Sequence, residues 1–263
     1  MLRLLVALAI MFPSFAYGYE CSREIDRISR EIGIPVYCNI NSIPNMSSDI
    51  VATNPSQSLI DTFESSFAKF VYSYNRQFLK KYASSMNFVS NLFYDGSRVG
   101  GLSNGKYIYI SLKNYDSERL DTFYLRALNH EFSSNIYRFL SIRERNEWAA
   151  ISNSYDTSSE YEHRCLSNGN FYRQNDTRIL REGFLSYYAI TNPENDFNVY
   201  AERLFGGDDN LKNYAKYYPK VKIKLELIKK IYIKYGFVGI FPDETWQTTT
   251  TILVYHHSPA RGH

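Results

Sequence analysis

The chain has 263 residues, 44% of them hydrophobic and 22% charged, which is ample for one well-packed domain and short for two large ones. A formal net charge of +3 gives no electrostatic footprint for nucleic acid, so no nucleic-acid partner is expected. The aromatic share of 16%, with 24 Tyr and 17 Phe, suits half-buried positions and peptide or carbohydrate grooves without naming a ligand.

Residues 1–18 read as a secretory signal peptide. Arg3 supplies the positive charge, LLVALAIMF is an apolar run too short to span a bilayer, and Ala16-Tyr17-Gly18 offers small residues for cleavage. The mature start is then near Tyr19, and residues 19–263 form a single domain. No later segment is apolar enough to cross a membrane, so a secreted or periplasmic protein without stable membrane insertion is expected. In an oxidising compartment Cys21 and Cys38 are the economical disulfide, stabilising by roughly 3 kcal/mol for a loop of that length. Cys165 is then left over, and the absence of a C-x-x-C excludes a structural zinc site of that type.

In chain order, Ile25, Ile28 and Ile32 recur at helical spacing before Gly33 and Pro35 stop the pattern. The polar stretch 39–58 reads as loop. Leu59, Phe63, Phe67, Phe70 and Tyr74 then share one side of a long amphipathic helix, completing a helical N-terminal part over 19–86. Residues 87–112 change period: β-favouring residues broken by Asp95-Gly96, Gly100-Gly101 and Asn104-Gly105 predict two strands joined by turns, and KYIYIS alternates as a two-faced strand.

From Ser117 the pattern is helical again. Leu125, Leu128, Phe132, Ile136 and Phe139 form one stripe, and Phe123, Ala127, His130, Ser134 and Tyr137 form its neighbour. The polar segment 152–175 is loop-like. Thr191, Asn192 and Pro193 start a helix that Gly206-Gly207 ends. A last long helix carries many lysines over a core stripe of Ile223, Leu227 and Ile231. The tail could add a strand, on which the adjacent His256 and His257 point oppositely and make a poor chelate.

The segment NHEFSSNIY begins as an H-E-x-x-H motif does. In that motif two histidines one helical turn apart hold zinc, and the Glu beside the first takes a proton from the attacking water. Together with GGLSNGKYIYISL before it and GFLSYYAITNPENDFNVYAERLF after it, this resembles the gluzincin-type zinc peptidases secreted by bacteria. The last segment is similar to the Y-x-x-T-N-x-x-E-[DE]-F pattern, also seen in lethal-factor-like toxin peptidases. The resemblance covers roughly residues 87–235. It implies an α+β, zincin-like fold, mainly helical, with a small mixed β-sheet beside the motif helix.

Carried over by position, the resemblance implies His130 as first zinc ligand, Glu131 as general base and Tyr188 beside the substrate carbonyl oxygen. Ser134 stands where the second histidine is expected, and Asn195 where a ligating Glu is expected. Glu194 and Glu202 are the acidic candidates for the missing ligands, with Glu202 equally suited to support a ligand; His163 in the long loop has no spacing relation to His130. Tyr107 and Tyr109, on the strand 107–111, are expected to meet an extended peptide by strand addition. The expected activity is zinc-dependent hydrolysis of a peptide or protein substrate at an atypical metal site. The alternative is an inactive relative that binds peptide or a cell-wall ligand.

Overall fold

The computed structural model describes residues 21–113, 120–152, 154–158, 176–208 and 210–242. The signal-peptide segment, His163, Cys165, the tail strand, His256 and His257 lie outside them. Helix α1 (Arg23–Ile32) is capped by the Ser22 hydroxyl, which accepts from the Ile25 N–H at 3.2 Å, and ends where Gly33 turns left-handed at φ 66°. Its predicted stripe of Ile25, Ile28 and Ile32 is buried. The Cys21–Cys38 disulfide ties the start of α1 to the end of β1 (Val36–Tyr37).

The long helix expected next is two: α2 (Gln57–Tyr72) and α3 (Arg76–Tyr82). The break falls where Tyr74 turns into the core and its hydroxyl donates to Asn129 Oδ1 at 2.6 Å. The stretch expected as loop contains β2 (Ile50–Thr53), whose Ile50 and Ala52 are buried. Four residues give too short an alternation to stand out in a polar segment.

Strand β3 (Ser85–Tyr94) organises the sheet. Its first half pairs parallel with β1 and with β6 (Tyr107–Ser111), and its second half pairs antiparallel with β2 and with β4 (Ser97–Arg98). Strand β5 (Gly101–Asn104) runs antiparallel to β6 and closes the order β1-β3-β6-β5. The result is a mixed sheet in an α+β fold, as the sequence implied.

One face of the sheet, with Met86, Phe88, Ile108 and Ile110, joins the main core, while Val89, Leu92 and Tyr109 pack with Ile43 and Ile50 on the other. Helix α4 (Leu120–Phe139) lies on the first face and buries Leu128, Phe132 and Ile136 there. Helices α5 (Ile142–Ile151) and α6 (Thr177–Arg181) follow, then a 3-10 turn (Tyr188–Ile190) leading into α7 (Pro193–Phe205). Asn192 caps α7 by accepting from the Asn195 N–H at 2.8 Å, and Pro193 fits its first turn. Helices α8 (Asn210–Tyr217) and α9 (Pro219–Tyr235) complete the described fold.

Of the stripe predicted for α9, Ile231 is buried and Leu227 packs half-buried against the core. Ile223 is exposed, and Val221, Leu225, Ile228 and Ile231 are buried with Lys224 among them. Lys224 is fully buried because Asp196 of α7 meets its ammonium at 2.5 Å and the Phe184 ring lies 4.6 Å from it. No helix among the described residues is long and apolar enough to cross a membrane.

Candidate functional site

Helices α4 and α7 pack side by side, and the polar residues of one meet those of the other. His130 Nδ1 lies 2.9 Å from Glu202 Oε2, two helical turns along α7 from Glu194. One turn further along α4, the Ser134 hydroxyl accepts from Asn198 Nδ2 at 2.7 Å, and Ser133 donates to Asn198 Oδ1 at 2.7 Å. Both ends of the Asn198 amide are therefore engaged at the position where the resemblance puts a second histidine. Asn195 is turned away, with Nδ2 on Thr191 Oγ1 at 2.8 Å. Glu194 lies 3.6 Å from Arg138, so it is paired with a guanidinium and is not brought to the His130 ring.

Strand β5 approaches α4 closely. Arg138 Nη2 donates to the Ser103 carbonyl at 2.9 Å, and the Ser103 hydroxyl meets Asn135 Oδ1 at 2.5 Å. These ties press Gly101 onto Glu131: a Cβ there would lie 2.5 Å from Oε1. Glycine is required for that approach. The Ser111 N–H donates to the Gly100 carbonyl, so by strand alternation the main chain of Gly101 and Ser103 faces away from β6, along an edge that no described strand pairs and where Arg138 already holds the Ser103 carbonyl.

This corrects the expectation for Tyr107 and Tyr109. Strand β6 lies between β3 and β5, so both its edges are already paired and no peptide can add to it. Period-2 alternation sends its isoleucines toward α4, whereas Tyr109 is buried in the second cluster and Tyr107 packs against that cluster. The edge that no described strand pairs is β5, which glycine and serine make inconspicuous in the sequence.

Between β5, α4, the 3-10 turn and the second half of α7 lies a cleft of about 660 Å³. Val99, Gly101, Phe123, Arg126, His130, Glu131, Tyr188, Glu202 and Asp208 are among the residues that line it. The Tyr188 ring stacks on His130 with centroids 5.7 Å apart. Burial pushes the Glu131 carboxyl up to about 7, against the pull of His130 and Arg138. Burial alone would lower the His130 imidazole, yet the Glu202 hydrogen bond and the charges of Glu131, Glu202 and Glu194 carry it above its ordinary value.

The zinc implied by the resemblance finds a poor donor set. Among the described residues no three His, Cys, Asp or Glu side chains are grouped to hold a metal. His130 and Glu202 are hydrogen-bonded to each other, and Ser134 and Asn198, a hydroxyl and an amide, are weak zinc donors that already satisfy one another.

No family model matches the chain. No curated protein matches it either. A crystal structure described as a "putative zinc-binding metallo-peptidase" from Bacteroides caccae is similar, with a TM-score of 0.48 at 16% identity over 81% of this chain and 85% of that one.

Proposed function

We propose that this chain is an exported hydrolase of peptide bonds in which Glu131 is the base that activates water. The observation that carries the reading is the placement of Glu131, a buried carboxyl held near pH 7 in a cleft beside a sheet edge that no described strand pairs. An extended peptide added to β5 would run past Gly101 and so past the Glu131 carboxyl. Glu131 takes the proton as water attacks the carbonyl carbon and returns it to the departing amine. With His130 protonated, Nδ1–H donates to Glu202 and Nε2–H is left to meet the oxyanion, with Tyr188 alongside. No step is assigned to zinc, because the described donors do not complete a site for it. Export is supported by the signal-like residues 1–18 and by the Cys21–Cys38 disulfide, which suits an oxidising compartment.

A second reading, peptide binding without hydrolysis, is favoured by the Ser134–Asn198 hydrogen bond, which replaces a ligand pair by a satisfied structural contact. The two are separated by incubating the purified chain and Glu131→Gln with a quenched-fluorescence peptide library, with metal content read by mass spectrometry. Cleavage by the wild-type chain that falls at least about 100-fold in the variant supports hydrolysis. Peptide binding without cleavage supports the second reading, and neither binding nor cleavage removes both. About one zinc per chain would mean that donors beyond the described residues complete the set.

A further inference from the structure

The cleft has a second charged centre that the hydrolytic reading does not use. Arg126 lies on α4 one turn before His130, about 6 Å away along the axis at 1.5 Å per residue, and both line the cleft. Its stem packs on Gly206, where a Cβ would come within 2.7 Å of Arg126 Cγ, so the end of α7 is cut back to admit it. The Arg126 side chain is 20% exposed and lines the cleft.

Among the described residues, the carboxylate that approaches Arg126 is already committed elsewhere. Asp208 Oδ2 lies 2.5 Å from Arg203 Nη1, and both side chains are almost wholly buried. Arg126 reaches the same oxygen only at 3.8 Å, beyond hydrogen-bonding distance, and its Nε is buried with no acceptor. Two guanidinium groups thus share one carboxylate, and the surplus positive charge is the one facing the cleft. Val99, Phe123, Ala127 and Val199 wall the same space with apolar surface, which strengthens any ion pair formed inside it. Arg98, at the mouth, adds a further cation.

We propose that Arg126 is a specificity-determining residue: it binds a carboxylate of the substrate, set about two residues from the scissile bond. The spacing follows from the ~6 Å between the Arg126 and His130 positions and the ~3.3 Å rise of an extended residue. The carboxylate is an acidic side chain or the free C-terminus of the peptide, and apolar neighbours in the peptide meet Phe123 and Val199. As a statement about peptides, this rests on the proposed function; as a carboxylate site, it rests on the Arg126 geometry alone.

The test uses the full mature chain, Arg126→Gln and Arg126→Lys. Labelled peptides are compared in pairs, Glu against Gln at one internal position and free acid against amide at the C-terminus, with affinity read by fluorescence anisotropy. The favoured acidic member should bind about ten- to hundred-fold more tightly than its neutral twin, as for a hydrogen bond to a charged group. That preference should vanish in Arg126→Gln and be partly kept in Arg126→Lys. The pair that shows it identifies the source of the carboxylate. Equal affinities within both pairs, or a preference that survives Arg126→Gln, overturn the proposal.

A second arm needs no peptide. Phenylglyoxal modification of Arg126, mapped by mass spectrometry, should slow in the presence of glutarate and not of glutaramide. If no peptide binds but glutarate protects, the peptide reading fails and the carboxylate site stands. If no peptide binds and glutarate gives no protection, the carboxylate site fails as well.

Discussion

Asn198 and Ser134 form a hydrogen bond of 2.7 Å at the point where α7 crosses the motif helix, and both side chains are buried. The pair is closed on itself, since Ser133 donates to the other end of the same amide. Ser134→Ala should therefore leave a buried donor unsatisfied and cost about 1–3 kcal/mol. Urea unfolding of Ser134→Ala, Asn198→Leu and the double variant checks this. The double variant should be closer to wild type than the sum of the singles, and simple additivity would show that the contact carries no coupling.

Glu131 makes stability depend on pH in a defined direction. Its folded pKa of about 7 stands above its ordinary 4.5, so its contribution is full below pH 4.5 and is lost as pH rises through 7. Glu131→Gln cannot ionise. Its Tm should lie close to wild type at pH 4 and above it at pH 8, where the difference in unfolding free energy is on the order of 3 kcal/mol. Equal Tm differences at both pH values would place the carboxyl in solvent.

Gly101→Ala probes the same carboxyl from the strand side. The new methyl would overlap Glu131 Oε1 and Cγ, at 2.5 and 2.7 Å from its carbon, so the Glu131 side chain must move. A loss of about 1–3 kcal/mol is expected, together with a flatter pH dependence of stability as the carboxyl regains water. Thermal unfolding across pH 4 to 8 measures both. An unaltered slope would show that Glu131 stays in place.

The ion pair of Lys224 with Asp196 gives the largest predicted single effect. Both side chains are fully buried at 2.5 Å, Tyr155 donates to the same carboxylate oxygen at 2.7 Å, and burial lowers the Lys224 amine while raising the Asp196 carboxyl. Lys224→Met should cost about 3–5 kcal/mol by stranding Asp196. Adding Asp196→Asn should recover part of that loss, in the same unfolding measurement.

What could be read from the sequence followed periodicity. The stripe of α1, the start of α7 at Asn192-Pro193 and the Cys21–Cys38 pairing lie where spacing and caps put them, as does the stripe of α4 up to Ile136, beyond which the predicted Phe139 is exposed. His130 and Glu131 are likewise on the helix expected of them, facing a cleft. Rotation of one element against another was not legible. That Glu202 and not Glu194 meets His130 depends on how α7 rolls and slides on α4, which two acidic residues eight apart on one helix leave open. Strand β5 escaped notice because a glycine chosen for close approach carries no hydrophobic signal. Lys224 looked solvated because a lysine in a lysine-rich helix gives no sign of a buried partner on another helix.

The disulfide closes a loop from residue 21 to 38, and every lining residue of the cleft lies between Arg98 and Asn210. The disulfide therefore joins no two cleft-lining elements directly, although α1 and α4 share one apolar core. Reducing conditions would loosen the first helix from β1 and leave the cleft-lining strands and helices without a covalent tie to lose among the described residues. Under the export proposed above, a reducing cytoplasm would remove the tie between α1 and β1 without breaking any covalent bond among the described cleft residues.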